Sequence, residues 1–136
     1  MATYEGGCLC ERVRFRITGP IRNIVQCHCS RCRKAQGSAF ATNGIVAAEH
    51  FHLIQGEEEL TGYESSPGQT KYFCRHCGSP ILSRNRARPN QVRVRLGTID
   101  SDIDERPMAH IFVGSKANWE DICGELPRYD SYEPGR

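Results

Sequence analysis

The spacing of the cysteines is the feature that most constrains this 136-residue chain. Seven of the eight cysteines fall into three compact groups: the pair Cys8 and Cys10, the triplet Cys27, Cys29 and Cys32, and the pair Cys74 and Cys77. Spacings of one or two residues allow neighbouring thiolates to reach the same tetrahedral ion, with zinc–sulfur bonds of about 2.3 Å. Three such groups in one chain predict metal binding.

The rest of the sequence indicates the cellular compartment in which these cysteines act and the partners that are not expected. Residues 1–5 lack the basic start and apolar run of a signal peptide, and no stretch approaches the ~18 consecutive apolar residues of a membrane span. We therefore expect a cytoplasmic protein, whose cysteines are metal ligands or reactive thiols in a reducing environment. A net charge of +2, from 18 basic and 16 acidic residues, does not suggest a nucleic-acid partner. The oligomeric state is not indicated.

Counting ligands divides the cysteines between two sites. A closed zinc site needs four protein ligands, and seven cysteines cannot fill two such sites. Joining the two pairs gives a structural four-thiolate site of Cys8, Cys10, Cys74 and Cys77. The triplet then holds a second ion with three protein ligands, and an open position is typical of a catalytic zinc. The sequence thus predicts two zinc ions per chain, with Cys27, Cys29 and Cys32 as the catalytic ligands.

Three alternatives to this partition stay open. First, a histidine closes the triplet; His28 is the nearest in sequence, but a residue between two ligands tends to point away from their ion. Second, Cys123 supplies a fourth thiolate, although a lone cysteine beside an apolar residue is more often a small buried hydrophobe. Third, a single four-cysteine site forms and the other three thiols are merely reactive. The histidines considered for closure are His28, His50, His52, His76 and His110.

The remaining pattern is one of short strands separated by turn residues. Residues 12–17 alternate arginine with Val13, Phe15 and Ile17, and residues 91–96 alternate in the same way, which is typical of half-buried strands. The arginines of both segments are interpreted as the solvated face of a sheet. Further strands are expected at 24–26, 39–46, 51–54, 69–73, 80–83 and 110–113.

Helix is expected to be scarce. One short helix is predicted near Ser38, or else residues 29–36 coil around a metal, and another is predicted over 118–123, where Trp119 and Ile122 would share a face. The sequence therefore predicts a mainly β protein, with antiparallel sheets and few short helices, folded as one domain over residues 1–136.

An open zinc site with three thiolates favours a particular chemistry. Three thiolates around zinc leave a formal charge of −1 and favour a soft fourth ligand such as a substrate thiol. A free thiol has a pKa of about 8.5, whereas a zinc-bound thiol ionises near neutral pH and becomes a nucleophile toward a carbonyl carbon. Arg31, Arg33 and Lys34 lie in or beside the triplet. They are expected either to hold the carboxylates of an anionic thiol or simply to form a solvated basic turn.

The motifs together resemble those of the glutathione-dependent formaldehyde-activating enzyme family, which also includes centromere protein V. The matching segments are GGCLC at 6–10, CHCSRCRK at 27–34, FCRHCG at 73–78, HIFV at 110–113, SKANW at 115–119 and LP at 126–127. The resemblance covers about 6–127. It implies a β-tent fold of stacked antiparallel sheets, a structural zinc on the two cysteine pairs and a catalytic zinc on the triplet.

The resemblance also implies an activity, which is the addition of glutathione to formaldehyde by a zinc-dependent carbon–sulfur lyase. The expected small-molecule partners are a thiol such as glutathione and an aldehyde. The alternative is a non-enzymatic, zinc-stabilised module that binds a protein, cytoskeletal or nucleic-acid partner, although such a module has no need of a three-ligand metal. Zinc storage or sensing by the triplet is a third, weaker hypothesis.

Overall fold

The structure is a computed structural model in which residues 3–135 are described. This part of the chain contains ten strands, one α-helix and four short 3-10 helices. The strands are β1 (Tyr4–Gly7), β2 (Arg14–Ile17), β3 (Arg22–Cys27), β4 (Ala41–Ala47), β5 (Phe51–Gln55), β6 (Leu60–Ser66), β7 (Gln69–Cys74), β8 (Pro80–Asn85), β9 (Gln91–Arg95) and β10 (Ala109–Ile111). The helix α1 spans Ser30–Gln36, and the 3-10 turns span Ala48–His50, Glu57–Glu59, Leu96–Thr98 and Val113–Ser115.

The strands form two sheets. One has three strands in the order β1-β2-β5, and the other has seven in the order β10-β3-β4-β9-β8-β7-β6. The named strand neighbours are antiparallel except β10 and β3, which run parallel. The prediction of a mainly β fold with antiparallel sheets and few short helices is confirmed, and the parallel pair is an addition to it.

The main core lies between the two sheets. On β2 the predicted alternation is confirmed, because Phe15 and Ile17 are buried whereas Arg16 faces solvent. These side chains pack with those from the inner face of the larger sheet, including Val92 and Val94 of β9. Neighbouring side chains of a strand point to opposite faces, so Arg93, which lies between these valines, must point to the outer face of that sheet.

The outer face of the larger sheet carries a second, smaller core. Val25 and Cys27 of β3 alternate with the inward-facing Ile24 and pack with Cys32 of α1. Ala109 and Ile111 of β10 complete one side of this cluster. The helix therefore lies against the outer face beside the cysteine triplet.

Several predicted elements are wrong. Residues 118–119 form a turn and residues 120–123 have no regular secondary structure, so the predicted helix is absent. Trp119 is 67% exposed, so it does not contribute to an apolar helix face that packs on a core. The predicted helix near Ser38 is absent because α1 already ends at Gln36, where the N–H of Gly37 donates to the carbonyl of Arg33. The segment that was expected to coil around a metal is this helix.

Two strands were not predicted. β6 has no apolar alternation and forms because it pairs with β7 in a hairpin. β1 contains two glycines and pairs with β2. In both cases pairing with the neighbouring strand stabilises a strand that the local sequence pattern does not predict. No helix within residues 3–135 combines the length and apolar character needed to cross a membrane.

Candidate metal centres

The two cysteine pairs come together in the structure. Cys8 and Cys10 lie in the turn that follows β1, Cys74 ends β7, and Cys77 lies in the next turn. Their four Sγ atoms lie within 4.8 Å of one another. The Sγ of Cys10 is 3.6 Å from that of Cys8 and 3.7 Å from that of Cys74. Thiolates bound to one tetrahedral ion at about 2.3 Å are about 3.8 Å apart, so this group fits a single ion.

Backbone contacts shape this four-cysteine group. The N–H of Val13 donates to the Sγ of Cys8 (3.2 Å), and the N–H of Gly78 donates to the carbonyl of Cys74 (2.8 Å). The hydroxyl of Ser79 accepts from the N–H of Leu9 (2.9 Å) and so joins the two turns. The group therefore fastens the smaller sheet to β7 of the larger one.

The cysteine triplet lies at the junction of β3 and α1. Cys27 is the last residue of β3, Cys29 is the N-cap of α1, and Cys32 lies in the first helical turn. The Sγ of Cys29 accepts the N–H of Cys32 (3.3 Å), as an N-cap side chain does. The three Sγ atoms lie within 4.8 Å of one another. The strand-to-helix turn thus gathers three donors around one point.

The thiols of the triplet influence one another. Hydrogen bonds with Cys27 and then Cys32 lower the pKa of Cys29, and the same hydrogen-bonding group raises the pKa of Cys27. The hydrogen bonds among the three thiols therefore favour a thiolate at Cys29 over one at Cys27. A cation at this point is stabilised by that charge.

None of the histidines considered above belongs to the triplet group within the described residues. His28 is fully buried and its Nε2 lies 3.0 Å from Nδ1 of His110. Burial, followed by the neighbouring His110 and Lys116, lowers the pKa of His28 to about 4. His52 contacts Thr18 and His76 contacts Glu59 on the surface.

Cys123 also lies apart from both cysteine groups. It is exposed, and its thiol contacts the carbonyl of Asp121 at 3.8 Å. The expectation that Cys123 is a small buried hydrophobe is therefore wrong, because the irregular segment around it lies at the surface.

A cavity of about 430 Å³ opens onto the triplet. Its size falls in the range of about 300–1,000 Å³ that is typical of small-ligand sites. Phe112 and Tyr132 line it with their rings in an edge-to-face contact, 4.9 Å between centroids. No Asp or Glu is among the described residues that line this cavity. The basic residues of its wall are Arg31, Lys71, Arg93 and Arg95.

The basic residues expected at the site are only partly those found there. Of the three beside the triplet, Arg31 lines the cavity, Arg33 donates to the carbonyl of Ser115 (3.3 Å), and Lys34 is exposed and is not part of the wall. Burial and then the nearby Arg95 lower the pKa of Lys71, a cavity residue that no local motif marks in the sequence.

Arg95 corrects the interpretation of the strand arginines. The alternation in residues 91–96 was interpreted as a solvated face, yet Arg95 is only 4% exposed. The outer face of β9 is not freely solvated at this point, because it forms part of the wall of the cavity beside the second cluster. The period-2 pattern marks two faces of a strand but does not say what covers each of them.

The fold and the two cysteine groups define a β protein with two sites suited to metal ions. Residues 3–115 match the family model described as "Glutathione-dependent formaldehyde-activating enzyme". The chain belongs to this family, and the resemblance expected from its motifs is confirmed.

Two relatives agree with this assignment, and a solved structure has a similar fold. A Halomonas elongata protein, provisionally named a glutathione-dependent formaldehyde-activating enzyme, is 34% identical over 130 residues, covering 87% of this chain and 80% of that protein. An Aspergillus flavus protein with the same provisional name is 28% identical over 88 residues, covering 61% of this chain but 46% of its own length. The crystal structure of a Rhodobacter sphaeroides protein superposes with a TM-score of 0.62 at 23% identity, covering 74% of this chain and 91% of that one, and supports the fold.

Proposed function

We propose that this protein is a zinc-dependent carbon–sulfur lyase that adds a thiol such as glutathione to a small aldehyde such as formaldehyde. One observation carries the proposal: Cys27, Cys29 and Cys32 converge at a cavity, and no fourth Cys, His, Asp or Glu joins their group within residues 3–135. Membership of the family supports glutathione and formaldehyde as the substrates.

Zinc is proposed for both groups because of the donor atoms. Thiolates are soft ligands that suit zinc, whereas calcium and magnesium take oxygen ligands. The four-cysteine group has the complete ligand set of a structural site, and the triplet has the three-ligand set of a catalytic one. We therefore propose two zinc ions per chain, with the four-cysteine ion holding the fold together.

The triplet and the cavity have different roles in the proposed reaction: the triplet would hold the zinc, and the cavity would attract the thiol. When bound, zinc would lower the pKa of a coordinated thiol and would polarise an aldehyde oxygen. The cavity presents cationic side chains, which attract a thiolate and its carboxylates. In the overall reaction a carbon–sulfur bond forms, the carbonyl double bond becomes a single bond, and the thiol proton ends on the oxygen. No oxidant or reductant is consumed.

The proposal extends to the setting of the protein. The thiol ligands must remain reduced, which fits the cytoplasm. Strands of both sheets share the main core, which fits one domain over residues 1–136. The non-enzymatic binding module remains the alternative, and the experiment below decides between the two.

Two-dimensional exchange NMR of glutathione with formaldehyde tests the activity. The wild type is compared with Cys32→Ser, and Cys123→Ser serves as the matched control because Cys123 is exposed and lies outside both groups. We expect the wild type and Cys123→Ser to accelerate exchange above the spontaneous rate, and Cys32→Ser to return it to that rate. A wild type that carries two zincs and does not accelerate exchange would refute the enzyme and favour the binding module.

A further inference from the structure

The outermost strands of the two sheets differ in whether they are covered. β1 is covered by a loop, because the N–H of Asp100 donates to the carbonyl of Glu5 (2.8 Å). β10 is covered by the C-terminal segment, because the N–H of Tyr129 donates to the carbonyl of His110 (2.9 Å). The other outermost strands are β5 and β6, and no segment within residues 3–135 pairs with their outer sides. Such edges offer backbone donors and acceptors to a further strand.

β5 is interrupted by a bulge. Phe15 of β2 pairs with Leu53 and Arg14 pairs with Gln55, so Ile54 is an extra residue without a partner in β2. A bulge bends its strand and increases the local twist, and it is one of the features by which proteins protect a sheet edge. β5 is therefore poorly suited to pair with a further strand.

β6 lacks most of the features that protect an edge strand. It spans Leu60–Ser66 without lysine or proline, Glu64 is its only charged residue, and its irregularity relative to β7 comes only after Glu64. At its centre Gly62, Tyr63 and Glu64 are exposed, and Tyr63 is 64% exposed. A long edge with an exposed large side chain and no blocking residue is suited to pairing with another strand.

The hydrogen bonds at the start of β6 indicate which of its backbone groups point outward. The N–H of Arg75 donates to the carbonyl of Glu59 (2.9 Å), so Glu59 faces β7. Along an antiparallel pair, residues alternate between facing the partner strand and facing away from it. The backbone of Tyr63 therefore faces β7, whereas the N–H and C=O groups of Gly62 and Glu64 point away from it.

We propose that β6 is a dimerisation edge, through which two copies of this chain pair antiparallel with Tyr63 at the two-fold axis. Gly62 of one copy then faces Glu64 of the other, and their outward N–H and C=O groups bond to each other. Tyr63 faces Tyr63 of the other copy in a non-hydrogen-bonded pair, where side chains are closest and an aromatic pair is stabilising. The larger sheets of the two copies become one continuous sheet.

Charge and hydrogen bonding favour this register over its neighbours. A pairing centred on Glu64 would place two carboxylates directly opposite each other, which is destabilising. A pairing centred on Gly62 would place Leu60 opposite Glu64, but the N–H of Leu60 already donates to the carbonyl of Glu57. With Tyr63 at the axis, each Glu64 lies opposite a glycine, which has no side chain to collide with it. The contact uses the same surface on both copies and therefore closes as a dimer.

Sedimentation velocity of the full chain tests the proposal. Between about 5 and 500 μM we expect the wild type to pass reversibly from monomer to dimer, with a Kd on the order of 10–100 μM. The association is weak because one strand edge offers less area than the roughly 800 Å² per partner of a stable complex. Tyr63→Lys should weaken it at least about 10-fold, since it places like charges directly opposite each other. Trp119→Lys makes the same change at a similarly exposed aromatic residue outside β6 and should leave association unchanged.

Disulfide formation tests the register. In a Cys123→Ser background, Tyr63→Cys should give a disulfide-linked dimer on mild oxidation. The reason is that the Cα atoms of a non-hydrogen-bonded pair are about 4.5 Å apart, within the range of about 4.4–6.8 Å that a disulfide spans. Thr61→Cys is the matched control, because Thr61 lies opposite Ser65 in this register and the two introduced thiols are too far apart to join.

The outcomes do not depend on the activity test, because β6 carries none of the cysteine ligands. A wild type that stays monomeric to about 500 μM would overturn the proposal, as would a dimer that Tyr63→Lys leaves intact. Equal cross-linking of Thr61→Cys and Tyr63→Cys would overturn the pairing as well. Each variant is used only if it melts cooperatively. If Tyr63→Lys does not, Glu64→Pro replaces it and should also weaken the dimer, because it removes an outward N–H that β7 does not use.

Discussion

The Nε2 of His28 lies 3.0 Å from the Nδ1 of His110, and the pair is buried behind the cysteine triplet. Phe40 packs against both rings, with centroids 5.0 Å from His28 and 6.2 Å from His110. This contact ties the parallel strands β3 and β10 together. It also shows why the histidine between two cysteines does not face them: its ring packs against His110 and Phe40 instead.

The first prediction concerns this histidine pair. His110→Leu should lower the free energy of unfolding by about 1–3 kcal/mol, because it leaves Nε2 of His28 buried without a partner. The double variant with His28→Leu should be destabilised by less than the sum of the single variants, since it removes both polar groups. Urea denaturation measures both effects. A metal count that stays at two is expected, and a loss of one zinc would mean that a histidine is a ligand.

The second prediction separates the two metal centres. Cys74→Ser should prevent folding, because a structural zinc contributes on the order of 10 kcal/mol to the folded state. Cys32→Ser should keep the fold and retain about one zinc per chain. Circular dichroism melts and mass-spectrometric metal counts check both. A soluble Cys74→Ser protein with a cooperative melt, or global unfolding of Cys32→Ser, would reverse the assigned roles.

The third prediction uses Glu105, which joins the N-terminal strand to a distant loop. Its carboxylate accepts from the hydroxyl of Tyr4 (2.6 Å) and from the N–H of Ile21 (2.8 Å). Burial opposes ionisation, but the hydrogen bonds from Ile21 and then Tyr4 outweigh it and lower the pKa of Glu105 below its ordinary value of 4.5. Glu105→Gln should therefore cost about 1–2 kcal/mol of unfolding free energy at pH 7.

The pH dependence of this cost follows from the direction of the shift. A carboxyl whose pKa is lowered by folding stabilises the protein fully above its unfolded pKa, and this contribution is lost as the pH falls through the folded pKa. The difference between wild type and Glu105→Gln should thus be constant from pH 7 to 5 and shrink below 4.5. Thermal melts across this range measure it, with the exposed Glu125→Gln as control. A difference that grows on acidification would contradict the mechanism.

The fourth prediction compares two glycines with nearly the same backbone. Gly56 has a φ of +85° and Gly124 a φ of +86°, so alanine is strained at either position by about 1–2 kcal/mol. At Gly56 the added Cβ would collide with the carbonyl of Arg12, whereas at Gly124 it would meet open space. Gly56→Ala should therefore be the more destabilising by at least about 1 kcal/mol. Equal losses of unfolding free energy in the two variants, measured by chemical denaturation, would contradict this. They would show that the chain around Arg12 moves to accommodate the Cβ without an energetic penalty.

The cysteine groups show how much of the candidate sites can be predicted from the spacing of residues in the sequence. The triplet was predictable because its three residues lie within one strand-to-helix turn, where chain connectivity alone keeps the thiols close. The union of Cys8 and Cys10 with Cys74 and Cys77 was predictable from the number of ligands that zinc requires, and the structure brings these four together. Whether zinc occupies either group remains a prediction.

The strands, likewise, include some that the local sequence pattern predicts and some that it does not. β2 was evident from its alternation, whereas β6 was missed because its order comes from pairing with β7. The proposed helix over 118–123 depended on Trp119 and Ile122 finding a core, and none lies beneath them. A short segment without tertiary contacts does not hold a helix, because nucleation is costly and propensity alone is weak.

The sequence by itself determined the cysteine groups, the family and the mainly β class, because each depends on residue identity and short-range period. Only the tertiary structure decided which surroundings the triplet has. It turned His28 toward His110, placed Cys123 on the surface and brought Lys71 and Arg95 to the cavity wall. These outcomes depend on which strands become neighbours and on what covers each face of the sheet. The proximity of residues far apart in the chain, such as Cys27 and Arg95 in the wall of one cavity, is set by strand pairing rather than by local pattern.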